Sequence, residues 1–319
     1  MSKTSSYSAA GAIPWKIFKN KRLLRDLHRG HIPPVHVQFI PTNRCNLKCS
    51  FCSCMGRDSS REMDLDEIQI LIPHLKDLGT QSVTITGGGE PLLHKDIATI
   101  IEWFYVYGID VGLVTNGVLL DKLKPNVLSM LTWCRISCAD ERPFTGRFRD
   151  AVAYAVTAAP YVDWAFSYVV SSQPNLDNLF EHIEFANLHD FTHVRVVSDL
   201  LDIEHSPIVY VKTAIEDEIN TDRVIWQDRQ EWTKGKKRCL ISLLKPVIGP
   251  DGFVYPCCGV QYALEDSELD LPVEMRMGHW ASLGKMGWFN GSHCIKCYYD
   301  NYNITLSSIL DDINHISFV

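Results

Sequence analysis

No stretch of this chain is long and apolar enough to be read as a membrane span. The most apolar extended window, residues 97–114, carries Glu102 and Asp110, and charges at such positions disfavour a bilayer core. The segment Met1 to Gly11 is rich in serine and alanine but lacks the apolar centre of a secretion signal. A cytoplasmic protein is therefore expected. A basic excess is missing as well: the net charge is −7, which argues against a general nucleic-acid binder, whose surface displaces counterions with positive charge. Internal repeats and low-complexity tracts are absent. Hydrophobic residues at 46% and charged residues at 22% place the chain among ordinary globular proteins. Its 319 residues suffice for two domains, or for one large α/β domain with an appendage.

Cysteine, by contrast, is plentiful. Eleven cysteines, odd in number and clustered, fit metal ligation in a reducing compartment better than a disulfide framework. Cys45, Cys49 and Cys52 form C-x3-C-x2-C directly after the apolar run Val35 to Ile40, which reads as a buried strand. The spacing supplies three thiolates for a four-iron cluster and leaves one iron open for a ligand. Half of a zinc site, closed by Cys54, or a set of buried thiols are the alternatives.

Short β-rich runs alternate with amphipathic stretches beyond this loop, the rhythm of a parallel α/β sheet. Strands are expected over residues 35–40, 82–86, 110–115, 133–137, 164–170 and 193–197, and helices over 64–78, 95–107, 120–131, 148–158 and 177–188. Asp64 with Glu67 suits a helix start, and Gly79 and Gly108 suit helix stops. Six βα units form either an open sheet or a partial (β/α)6 TIM-type barrel. The motif positions favour the barrel, because the cysteine loop, Gly87-Gly88-Gly89-Glu90-Pro91, Thr115-Asn116-Gly117 and Ser137-Cys138-Ala139-Asp140 all follow strand ends and share one rim.

The run Pro41 to Cys52, with Phe51 before the last cysteine, resembles the signature of the radical S-adenosylmethionine (radical SAM) enzymes. That resemblance implies a barrel fold, S-adenosylmethionine (SAM) as cofactor, and Phe51 beside the adenine. Gly88, Gly89 and Glu90 resemble the family's GGE motif, which holds the methionine amine; Gly87 leaves the register open by one residue. Asn116 and Ser137 fall where the family contacts the ribose and carboxylate, and both can supply the hydrogen bonds. Arg195 is a candidate partner for the methionine carboxylate or the substrate, or a structural arginine.

The C-terminal third carries a second cysteine set. Cys239, then Gly252 and Cys257, then Cys294 and Cys297, resemble the opening of the SPASM and twitch domains that follow many radical SAM barrels. The turn Pro250-Asp251-Gly252 joins two apolar runs as a β-hairpin. Residues 298–319 contain no further cysteine, so one auxiliary cluster of the twitch type, and two 4Fe-4S clusters in all, are expected. Cys258 competes with Cys257 as the ligand, and a structural zinc is the alternative occupant.

The expected organisation is a basic helical extension over residues 1–33, a barrel over 34–200, an acidic linker over 201–238, and a small hairpin and helix cap with the auxiliary cluster over 239–319. In the extension, Lys16, Lys19, Lys21, Arg22, Arg25 and Arg29 interleave with Phe18, Leu23, Leu24 and Leu27. This reads as a surface helix, or as a docking surface for an anionic substrate. The resemblance implies hydrogen abstraction from a small, nucleotide-linked or peptide substrate, with a reductant such as flavodoxin or ferredoxin. The outcome is oxidation, or a rearrangement or epimerisation that needs a hydrogen donor, for which Cys138, Cys134 and Cys54 are candidates. Alternatives are a ribosomal-peptide maturase, a methyltransferase or sulfur-inserting enzyme, and a non-catalytic iron-sulfur carrier or redox sensor.

Overall fold

The structure, a computed structural model, describes residues 25–26, 34–216, 218–220, 222–228, 232–265 and 267–310. Apart from Arg25, the basic residues of the N-terminal extension lie outside the described residues. The described residues form one sheet in the order β10-β9-β8-β1-β2-β3-β4-β5-β6-β7. The six expected strands are β1 (His36–Phe39), β2 (Ser82–Ile85), β3 (Asp110–Thr115), β4 (Leu131–Ala139), β5 (Asp163–Val170) and β6 (His193–Ser198). All pair in parallel, giving a partial (β/α) barrel.

Each strand is followed by a helix whose apolar stripe covers the sheet. In α1 (Leu65–Asp77) the buried residues are Ile68, Leu71, Ile72 and Leu75, one face of a 3.6-residue period. Helices α2 (Ile97–Val106), α4 (Gly146–Ala158) and α5 (Leu176–Leu188) do the same. Gly79 and Gly108 stop α1 and α2 with φ of +89° and +64°, a region that costs a side chain. The expected helix over 120–131 is instead a single 3-10 turn at Leu120–Lys122 and the short α3 (Pro125–Leu128). Pro125 supplies no N–H and holds Lys124 extended, which breaks the periodic run. Asp64 occupies the N-cap of α1 but makes no capping hydrogen bond. Glu67 accepts instead from the Trp280 indole N–H at 2.6 Å, tying α1 to the C-terminal third.

The sheet runs one unit past expectation. Residues 201–238, read as a linker, contain α6 (Ile208–Glu216) and β7 (Val224–Gln227), which pairs in parallel with β6. This edge strand is short and mostly half-buried, so its pattern is faint among acidic neighbours. On the other edge, β8 (Val247–Ile248) pairs in parallel with β1, and β9 (Phe253–Tyr255) and β10 (Gly278–His279) continue antiparallel. The hairpin β8–β9 turns at Gly252, φ +76°. The short α7 (Ile241–Leu244) and the final α8 (Asp300–Leu310) complete the C-terminal third. Among the described residues no helix is long and apolar enough to cross a membrane.

Outside the sheet, Phe144, Phe148, Phe166 and Tyr168 enclose His182. Burial holds the imidazole pKa down to about 4. His193, on the inner face of β6, is held down to about 3 by burial and by the charges of Arg135 and Arg195. Below the ordinary value of 6.5 the unfolded chain protonates both rings while the folded chain does not. Their contribution is therefore complete above that pH and falls as pH drops towards 4, by up to about 1.4 kcal/mol per unit for each ring. Urea midpoints should decline between pH 7 and about 4.5, less steeply in His182→Phe. An unchanged wild-type midpoint would refute the assignment.

Candidate active site

Parallel pairing sends every strand-to-helix loop to one rim. The loop after β1 is pinched at its base, where Thr42 bridges Glu62 and the Asn43 N–H donates to Arg61 O at 2.9 Å. The intervening chain is thus a closed excursion holding Cys45, Cys49 and Cys52, all half-buried. Burial raises Cys49 to about 11 and the fully buried Cys54 to about 12. Arg57 donates to Cys52 Sγ at 3.4 Å and to Asn43 O at 2.9 Å, so a cation is fixed against one thiol. Ser50 binds Glu141, beyond β4, through its N–H at 3.1 Å and its hydroxyl at 2.7 Å.

The glycine run after β2 packs directly on this loop. A Cβ on Gly88 would stand 2.1 Å from Asn43 Oδ1, and one on Gly89 would stand 2.0 Å from Arg44 O. Gly89 is thus required by backbone, and Gly88 by the buried Asn43 side chain. Glu90 is buried and accepts from Leu92 N–H at 3.0 Å, Thr115 Oγ1 at 2.7 Å and Asn116 N–H at 2.6 Å. Desolvation raises its pKa against these donors. The Asn116 amide donates to Asn46 at 2.8 Å and its oxygen accepts from Val118 N–H at 3.1 Å.

These loops surround a cavity of about 380 Å³. Its wall includes Cys45, Cys49, Cys52 and Phe51, Gly88 to Glu90, Asn116, Ser137 and Arg195, so the structure brings together every barrel residue expected to bind cluster or cofactor. The cavity is built to receive something: Gln38 and Gln261 line it, are more than nine-tenths buried, and each carries an Oε1 without a hydrogen-bond partner. Three thiols on one cavity suit a cubane, which spreads its thiolates over separate irons. Among the described residues no three His, Cys, Asp or Glu side chains converge on a single-ion site.

The C-terminal third closes the cavity with Cys258, Gln261, Tyr262, Tyr298 and Tyr299. Gln261 donates to Cys54 Sγ at 3.4 Å, Gln227 at the barrel edge donates to Tyr298 Oη, and Gly56 abuts Glu268 backbone. A second, tighter cavity is lined by Cys239, Cys257, Cys294 and Cys297. Cys257 faces this cavity and Cys258 faces the larger one. Burial raises Cys239 to about 11 and Cys294 to about 12. Tyr298 and Tyr299 line both cavities and stand between them.

Strand alternation corrects the expected hydrogen donor. Along β4, Arg135 and Ser137 face the cavity, whereas Cys134, Ile136 and Cys138 are buried in the core between sheet and helices. Cys138 and Cys134 therefore do not reach the site; the cavity-lining cysteines outside the C-x3-C-x2-C loop, among the described residues, are Cys54 and Cys258. Sequence reading also missed Arg57, Arg135, Arg142 and Gln261. Arg142 donates to Ser137 O at 2.9 Å and to Asn116 O, and packs on the Phe148 ring at 3.6 Å. For Arg135 the signal was present, since it sits two residues from Ser137 on the same strand face.

A partial parallel barrel that opens its carboxyl rim onto a thiol-lined cavity is the class of protein this fold and site define. Residues 39–133 match the Radical SAM superfamily, whose members use SAM and a 4Fe-4S cluster. The probable GTP 3′,8-cyclase of Methanocaldococcus jannaschii is 44% identical over 85 residues, covering 26% of this chain and 28% of the relative. That of Pyrococcus horikoshii is 38% identical over 97 residues, covering 29% and 31%. The chain thus spans under a third of these relatives. Streptococcus suis SuiB, solved with the precursor peptide SuiA, superposes with a TM-score of 0.57 at 17% identity over 77% of this chain and 65% of SuiB. The protein anSMEcpe, solved with AdoMet and a peptide, gives 0.53 at 17% identity over 78% of both chains. At such identities the likeness concerns the fold.

Gly89→Ala tests how the two loops meet. The added methyl collides with backbone, and overpacking costs about 1–3 kcal/mol. The variant should melt several degrees lower in the absence of any ligand. An unchanged melting temperature would show that the loops can separate freely.

Proposed function

We propose that this protein is a radical SAM enzyme with two 4Fe-4S clusters, acting on a C–H bond of a small polar substrate held in the 380 Å³ cavity. The observation that carries the reading is that a single cavity unites three loop thiols, a glycine turn and polar strand ends, while a separate four-thiol cavity adjoins it. Cys45, Cys49 and Cys52 would hold the first cluster. Phe51, Gly88, Gly89, Glu90, Asn116 and Ser137 would hold SAM, with the Glu90 carboxylate chiefly tying the glycine turn to the end of β3. Cys239, Cys257, Cys294 and Cys297 would hold the auxiliary cluster. Bound in the larger cavity, the first cluster and SAM would supply one-electron reductive cleavage of SAM and hydrogen-atom abstraction from the substrate.

The chain's own part is to position and to exclude water. Arg57 places positive charge on Cys52, an interaction that tunes a cluster's potential. The buried acceptors on Gln38 and Gln261 await donor groups, which favours a substrate bearing hydroxyl, amino or amide groups. Tyr298 and Tyr299 are the layer between the two cavities. That short separation, together with four protein thiols and no open ligand position, suits electron exchange with the substrate site, and hence an oxidative outcome supported by a flavodoxin- or ferredoxin-type reductant. The domain division that follows is a barrel ending at β7 and a cap beginning near Cys239.

Anaerobic reconstitution should load about eight irons per chain and permit dithionite-dependent release of 5′-deoxyadenosine. Cys257→Ala should load about four irons, whereas Cys258→Ala should keep the full complement. A full cluster load without SAM cleavage would refute the enzyme and favour an electron carrier. About four irons plus one zinc in the wild type would refute the auxiliary cluster.

A further inference from the structure

We propose that the substrate carries a phosphate group, received on the inner barrel wall by Arg135 and Arg195. The inference rests on the reading of this cavity as the substrate site and names the chemical class it takes. Among the described residues lining the cavity the cations are Arg57, Arg135, Arg142 and Arg195, and the one carboxylate is Glu90. Glu90 is already engaged by three protein donors. In a chain with a net charge of −7, such a basic interior is a selective feature, because a low-dielectric cleft focuses its field on an entering anion.

The four arginines divide by position. Arg57 binds Cys52, and Arg142 is held at the rim by the Ser137 and Asn116 carbonyls and the Phe148 ring. Arg135 and Arg195 stand deeper, on β4 and β6. The register Ser137↔Ser167↔Arg195 forms one row across three strands, and Arg135↔Ala165↔His193 forms the row beneath it. Arg195 donates to Ser167 Oγ at 2.8 Å, and Arg135 lies over the Trp133 ring at 5.5 Å. These contacts orient the guanidinium groups. Trp133, two residues before Arg135 on the same strand face, is fitted against Gly112, where any Cβ would stand 2.2 Å from the indole.

A third cation reinforces the pair from behind. Lys245 donates to Tyr299 Oη at 3.4 Å, and its pKa is lowered by burial and by the charges of both arginines. Two guanidinium groups on adjacent rows, with a lysine behind them, favour a dianion over a single carboxylate, and guanidinium matches phosphate oxygens two at a time. The unsatisfied oxygens of Gln38 and Gln261 lie on the same cavity, so the remainder of the phosphate ester would be polar.

Pyrophosphate binding to the full, cluster-loaded chain, measured by calorimetry without SAM or reductant, tests the proposal, with succinate as the carboxylate arm. Wild type should bind pyrophosphate well in preference to succinate. Arg135→Gln and Arg195→Gln should each weaken it about tenfold or more, and Arg195→Lys less. Melting curves identify a misfolded variant, in which case the remaining variants decide. No binding by wild type, equal binding of succinate, or undiminished binding in the folded variants would overturn the phosphate site. Loss of 5′-deoxyadenosine release with pyrophosphate binding intact would overturn the enzyme reading alone.

Discussion

Everything at the rim depends on β1 being paired in parallel on both sides. Gln38 and Phe39 align with Thr84 and Ile85 of β2, and with Val247 and Ile248 of β8. The strand that launches the cysteine loop is therefore flanked by the strand that launches the glycine turn and by the strand that leads, through a hairpin, to Cys257 and Cys258. Parallel register forces the loops after β1 and β2, and the hairpin turn after β8, to the same side. Without that second pairing, the cap would be an appendage and not a wall of the cavity.

Close backbone approach does the rest. Gly89 lets the second loop lie on the backbone of the first, Gly88 makes room for the Asn43 side chain, and Gly56 lets the cysteine loop meet the cap. Glu90 then joins the glycine turn to the end of β3 through buried hydrogen bonds. Such bonds are worth more in a low-dielectric setting than in water, and a lost partner there is costly. The same residues that suit a cofactor thus also hold the site in shape. The arginines of the inner wall stand in a chain of net charge −7, which suits an anionic guest.

Much of this was legible in one dimension. Strand β3 coincides with its expected span, and the remaining five expected strands differ by a residue or two at their ends, because apolar runs bounded by glycine and polar turns carry a strong local signal. Cysteine spacing marked both thiol groups before any fold was known. The failures were also physical. Pro125 interrupts a helical pattern that apolar periodicity alone extends through. Strand β7 is short and at an edge, and so lacks the apolar run that betrays a central strand.

The sequence by itself determined which residues form elements and which chemistries are available, since propensity, periodicity and ligand spacing act over a few neighbouring positions. Only the tertiary structure decided direction and company. Cys138 and Ser137 are adjacent in sequence yet face core and cavity, because successive strand residues point to opposite sides. Cys257 and Cys258 are likewise adjacent yet line different cavities. Arg135 and Arg195 are sixty residues apart, and only pairing through β5 brings them to one wall.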